Sequence, residues 1–215
     1  ANVSNNLTLS NGDIDLQNNN IDLGTSGSIV GETNANRIKV SNPSSHSGTI
    51  TATRTINSGY SGNPANLGAT ITTDKDLGAI TITRGHQLQN GSGSFTGNTS
   101  IARYYSIPGI GQLDANNTVD IEYFDSELNG HTEANLQVYQ SITESTSTWW
   151  SPLDGSVNTS SNIATPSASP YGSYLTNGPS WYGYTYNDNF TLASTDNPLP
   201  IELVSFTGNC NDKFV

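Results

Sequence analysis

The densest set of hard oxygen donors is Asp125-Ser126-Glu127-Leu128-Asn129-Gly130, with Glu133 shortly after it. A divalent cation such as calcium gathers six or more oxygens from alternate positions around a sharp turn, so Asp125, Glu127, Asn129 and Glu133 are candidate metal ligands. Leu136 stands where a terminal bidentate glutamate would close a helix–loop–helix calcium site, and no flanking helices are expected. The same residues also fit a plainer description, an acidic β-turn in which Gly130 supplies a positive φ. Asp13, Asp15 and Asp22 repeat the acidic spacing more sparsely. Asp120 and Glu122 would share one face of a strand, as an acid and base for glycoside cleavage must, although alternating acids on a solvent face are commonplace. His46, His86 and His131 are far apart in the chain, with no Gly-x-Ser-x-Gly elbow and no His/Cys cluster at metal spacing. Catalysis is therefore the weakest reading.

Aromatic residues offer a second kind of chemistry. Trp149, Trp150, Tyr171, Tyr174, Trp181, Tyr182, Tyr184, Tyr186 and Phe190 are concentrated in a stretch otherwise rich in Ser, Thr, Asn and Pro. Pyranose C–H faces pack on Trp and Tyr rings, so Trp150 and Trp181 are candidate sugar platforms. Tyr182, Tyr184 and Tyr186 would line one side of a strand, an arrangement that equally serves a sheet core or a subunit interface.

Charge narrows the partners. The formal net charge is −11 with pI ≈ 4.3, which opposes binding to nucleic acid or an anionic membrane, since both need Lys and Arg against phosphate. Arg37, Lys39, Arg54, Lys75, Arg84 and Arg103 all lie in the first half, and no Lys or Arg occurs from Tyr104 to Asp212. The carboxylates of that long stretch must find relief in cations, salt, a basic partner or simple solvation. Cys210 is the sole cysteine, which excludes a disulfide framework within the chain. No window has the roughly 18 apolar residues of a membrane span. A start at Ala1 suits a mature secreted protein or an excised fragment.

The elements that would hold these groups are strands. Apolar residues at helical spacing are missing, whereas alternation recurs: Leu7/Leu9, Ile14/Leu16 and Ile21/Leu23, then Thr49 to Ile56, Ala69 to Ile71 and Ile80 to Ile82. Ile101/Arg103/Tyr105/Ile107, Val119/Ile121/Tyr123 and Leu136/Val138 followed by Ile142 continue it. Regular strands without helices predict an all-β chain, a β-sandwich of jelly-roll or immunoglobulin-like type. Residues 1–45 form a short-strand section, either rungs of a small solenoid or a compact meander. Residues 46–195 form the sandwich, and 196–215 a Pro-rich hinge followed by an orphan strand in which Ile201, Leu203, Val204 and Phe206 are candidates for strand addition to a neighbour.

Pro198-Leu199-Pro200-Ile201-Glu202-Leu203-Val204-Ser205-Phe206, followed by Asn209-Cys210, resembles the hinge that precedes the C-terminal sorting region of type IX secretion cargo in Bacteroidetes. Asn66-Leu67-Gly68, Thr83-Arg84-Gly85-His86, Ser100-Ile101-Ala102-Arg103-Tyr104-Tyr105 and Tyr123-Phe124-Asp125-Ser126-Glu127-Leu128-Asn129-Gly130 resemble the β-rich modules before that hinge. The likeness extends over about half the chain; 145–190 lies outside it. It implies export to the cell surface or beyond, and continuation past such a hinge into a further β-domain and sorting signal, so that this chain would be a processed or truncated product. The expectation is a non-catalytic extracellular structural or adhesive module whose partners are other copies, cell-surface or matrix components, or glycans. A calcium-dependent carbohydrate-binding module is the alternative.

Overall fold

A computed structural model of the chain describes residues 1–92, 98–144, 147–167 and 184–194. The expected all-β architecture is present. The first part of the chain contains β1 (Leu7–Thr8), β2 (Ile14–Asp15), β3 (Asn20–Asp22), β4 (Ile29–Val30), β5 (Ile38–Lys39) and β6 (Thr49–Ile56). Then come β7 (Tyr60–Gly62), β8 (Ala69–Thr73), β9 (Gly78–Gly85), β10 (Tyr104–Ser106) and β11 (Thr118–Glu122). Last are β12 (Leu136–Glu144), β13 (Ser147–Leu153), β14 (Gly155–Asn158), β15 (Ile163–Pro166) and β16 (Tyr184–Ser194). One sheet has seven strands in the order β13-β12-β16-β10-β9-β6-β3, and the other has five in the order β14-β15-β11-β8-β7. No helix among the described residues is long and apolar enough to cross a membrane.

The N-terminal section is a solenoid-like coil. Its pairings are parallel: Leu7 with Ile29, Ile14 with Ile38, and Ile21 with Ile50. The three apolar pairs read as rungs are therefore three sides of one rung. A two-residue strand and a turn make only one side, and the chain must pass three corners before it lies over itself again. Leu9, Leu16, Ile21 and Leu23 from the first pass are buried with Ile29, Ile38, Val40 and Ile50 from the second. The coil shares its core with the sandwich, because β3 extends the seven-stranded sheet through β6 and the apolar residues of both parts form one cluster.

The sandwich follows from alternation. Ile50, Ala52 and Ile56 of β6 are fully buried, while Thr49, Thr51 and Thr53 are turned outward, where the Thr53 and Thr81 hydroxyls meet across strands at 2.8 Å. From the opposite sheet Ala69, Ile71, Val119 and Ile121 close the core. Each buried Ile, Leu or Val contributes about 1.5–3 kcal/mol relative to an exposed one.

One glycine fixes how closely the coil's two passes approach. Gly31 has φ +78°, and a Cβ there would stand 2.4 Å from the Leu9 carbonyl oxygen, whereas Gly12, at φ +79°, has open space. Both positions favour glycine, by about 1–2 kcal/mol for the backbone alone. Gly31→Ala is expected to lower stability clearly more than Gly12→Ala, because only at Gly31 must the passes also separate. Equal losses in urea unfolding would contradict this stacking.

Candidate functional site

Alternation that carries isoleucines into the core carries two arginines with them. On β9 the inward positions are Ile80, Ile82 and Arg84. Around β10 they are Ile101, Arg103, Tyr105 and Ile107, and Arg84 and Arg103 are only 1% and 2% exposed. A charge removed from water requires a partner and hydrogen bonds. Arg84 receives Glu32, from the coil just after β4: Nη2 lies 2.7 Å from Oε1 and Nη1 2.8 Å from Oε2. Arg103 receives Glu127, from the 3-10 turn Asp125–Glu127: Nε lies 2.8 Å from Oε2 and Nη2 2.9 Å from Oε1. Arg103 also donates to the Glu122 carbonyl at 2.9 Å and lies over the Phe124 ring at 4.8 Å. Backbone carbonyls tie the pairs together, since Leu67 O accepts from Arg84 Nη1 at 3.2 Å and from the Tyr105 hydroxyl at 2.8 Å.

His86 completes the cluster. Its side chain is 1% exposed, and Nδ1 stands 3.5 Å from Glu127 Oε1. Burial pushes the imidazole pKa down, and the bond to Glu127 does not offset it. The ring is neutral at ordinary pH, so its contact with Glu127 is a long hydrogen bond and not an ion pair. For Glu127 itself, burial alone would raise the pKa, but the Arg103 charge and the bonds from Arg103 and His86 prevail and hold it at about 2. The same contest, with Arg84 prevailing over burial, lowers Glu32.

The acidic loop does not present its four candidates as one set. Glu127 is turned into the cluster, and Asn129 donates to Thr99 Oγ1 at 2.9 Å. Asp125 accepts from the side chains of Asn34 and Asn162, while Glu133 accepts from the Tyr123 hydroxyl at 2.8 Å. Asp125, Glu133 and Glu122 do border one cavity of about 460 Å³. Among the described residues no three His, Cys, Asp or Glu side chains are gathered as a metal site would require. Asp120 is half-buried on β11, which raises its pKa against a hydrogen bond from Thr165. His131 is satisfied by backbone, with Nε2 at 2.6 Å from Thr99 O and Nδ1 accepting from Ser194 N at 3.3 Å.

Trp150, on β13, is buried with Tyr139 and Ala193, and Trp149 on the other face is half-buried. Tyr184 and Tyr186 lie on β16, in register with Glu144 and Ile142 of β12, and Tyr186 is half-buried. Trp181, Tyr182, Ile201, Leu203, Val204 and Phe206 lie outside the described residues. Several described acids of the Lys- and Arg-free stretch are met by neutral donors. Asp188 accepts from the amides of Gly109 and Gly111 at 2.9 and 3.1 Å, and Asp114 from Asn116 and Asn117. Arg84 and Glu32 carried no signal of a pair in the sequence beyond an arginine at an apolar position of a strand. No family model, curated protein or solved structure matches the chain.

The cluster makes stability depend on pH in two stages. An unfolded histidine takes up a proton below 6.5 while folded His86 resists it, so stability declines as pH falls through that value. Unfolded glutamate protonates near 4.5, whereas Glu127 stays charged down to about 2, so a second and steeper loss sets in below 4.5. Urea midpoints measured along an acid series are expected to show both, and His86→Gln to abolish the first stage alone. Glu127→Ala, which strands Arg103, is expected to cost about 3–5 kcal/mol at neutral pH. A midpoint that is flat down to 4.5, or a Glu127→Ala cost within the range of a surface substitution, would contradict the pairing.

Proposed function

We propose that the chain is a non-catalytic extracellular module with a structural or adhesive role, presenting a rigid, acidic β-surface to matrix components, glycans or further copies of itself. The observation that carries this reading is the location of the buried charge. Arg84 with Glu32 and Arg103 with Glu127 are locked to each other where coil and sandwich meet, as in a structural ion-pair network. Outside the core, the face of β3, β6 and β9 presents Asn20, Asp22, Thr51, Thr53 and Thr81, short polar groups on a firm sheet suited to many shallow contacts. The hinge-like sequence from Pro198 to Phe206 supports export to the cell surface.

Self-association by strand addition fits the sheet topology. Among the described residues β14 is a terminal strand of its sheet, and a segment such as Ile201–Phe206 of another copy would extend it by main-chain hydrogen bonds. A second reading, calcium-dependent carbohydrate binding, draws on the cavity shared by Asp125, Glu133 and Glu122.

Calorimetry against a panel of matrix polysaccharides, together with sedimentation over a concentration series, tests the proposal. Saturable binding without product formation, or reversible association of copies, is expected. Turnover of a bound glycan would contradict the non-catalytic role, and a monomer that binds nothing would contradict the adhesive one. A melting temperature raised by calcium, and lowered again by chelation, would favour the second reading.

A further inference from the structure

A cavity of about 230 Å³ opens where the second pass of the coil meets the end of β9 and the Asp125–Glu127 turn. Arg37 and His86 both line it, and each carries a buried nitrogen with no hydrogen-bond partner: Arg37 Nε and His86 Nε2. His86 is 1% exposed. Buried polar atoms are nearly always paired, because each one left unpaired is costly, so two residues of one cavity lining that each carry an orphan call for a common explanation.

The chemistry of the two atoms is complementary. A carboxylate only accepts, so Glu127 Oε1 opposite His86 Nδ1 places the ring proton on Nδ1 and leaves Nε2 as a lone pair that seeks a hydroxyl donor. Burial, which keeps the imidazole neutral, maintains that state. Arg37 Nε–H seeks an acceptor, and a guanidinium is best matched by a carboxylate. Among the described residues Arg37 has no carboxylate at ion-pair distance; its Nη1 donates to the Asn34 carbonyl. Of the nearby acids, Glu127, which also lines the cavity, pairs with Arg103; Asp13 pairs with Lys39 at 2.7 Å and accepts from the Arg37 amide at 3.1 Å; and Asp15 accepts from Ser41 N at 3.1 Å. The ligand's charge would therefore meet a guanidinium that has no direct ion pair among the described residues. Ser126 adds a hydroxyl-bearing side chain to the lining, while Val40, Pro43 and Ala102 provide an apolar wall against which a ring's C–H face can pack. The volume is below that of pockets for drug-sized ligands and suits a single sugar ring.

We propose that this cavity binds one uronic acid residue, with its carboxylate on Arg37 and one of its ring hydroxyls donating to His86 Nε2. The proposal deepens the adhesive reading by naming the glycan, and rests on that reading only for the polymeric form of the ligand.

The test is titration of the intact protein with D-galacturonate, D-glucuronate, their neutral parent sugars and acetate, followed by calorimetry and by the His86 imidazole resonances. At least one acid is expected to bind saturably, at least about tenfold more tightly than its neutral parent or acetate, and to shift the His86 signals. Because His86 lies in the core, the variant of choice is Arg37→Gln, which is expected to weaken binding at least about tenfold without changing the melting temperature. Lack of saturation by both acids, equal affinity for the neutral sugars or acetate, or unchanged affinity in Arg37→Gln would overturn the site. Polygalacturonate and a glucuronate-bearing polysaccharide form the last arm. Binding of monomer and polymer supports both proposals, while binding of the monomer alone supports the site and contradicts its adhesive use.

Discussion

A guanidinium drawn into a β-sandwich by strand alternation is tolerable only if a carboxylate follows it in. Arg103 and Glu127 meet this condition at 2.8 and 2.9 Å, with the Phe124 ring and the Glu122 carbonyl completing the arginine's surroundings. Several features follow from this requirement. The turn after β11 must aim Glu127 inward, the backbone around Leu67 must offer its carbonyl, and Tyr105 must bring its hydroxyl between them. Removing both charges together in favour of matched apolar groups would not necessarily weaken such a core; removing one strands the other. The pairs therefore specify an arrangement more than they supply net energy.

Glu32 extends the same logic to the N-terminal coil. Alone, a coil of two passes with strands of two or three residues has too little apolar area to fold. It is held by sharing Ile21, Leu23 and Ile50 with the sandwich core, by the parallel pairing of β3 and β6, and by Glu32 reaching Arg84. The junction is also where Arg37 and His86, each with an orphaned nitrogen, line one cavity, which links the scaffold's charge network to the proposed ligand without requiring any part of that network to react.

Much of the sandwich was legible because period-two alternation is a local signal. Thr49–Ile56 is a strand with the limits its pattern suggested, and the alternation through Arg103 and Tyr105 placed both on the inward face. Closure of the coil was not legible, since parallel stacking joins residues whose spacing is set by corner lengths and not by any repeat. The acidic loop was misleading for a geometric reason. Alternate acids converge on a cation only where the loop curls around it, and Asp125–Glu127 is a 3-10 turn, in which positions three apart align instead. Asp125 and Glu127 accordingly point to different neighbours, one to Asn34 and Asn162 and the other to Arg103. The pairing of His86 with Glu127 was not legible either, because a pair formed with a residue far along the chain leaves no mark in spacing.

Coil and sandwich form one body fastened at their buried charges. Native-state hydrogen exchange tests it most directly by comparing the amides of Leu9 and Leu16, which bond across the coil's passes, with those of Ala52 and Ile82 in the paired strands β6 and β9. A single body requires opening free energies that agree within about 1 kcal/mol and fall together in Glu32→Gln. Coil amides that open more than about tenfold more easily than the strands, with no response to that substitution, would show that the coil is merely attached and that the buried pairs do not unite the molecule.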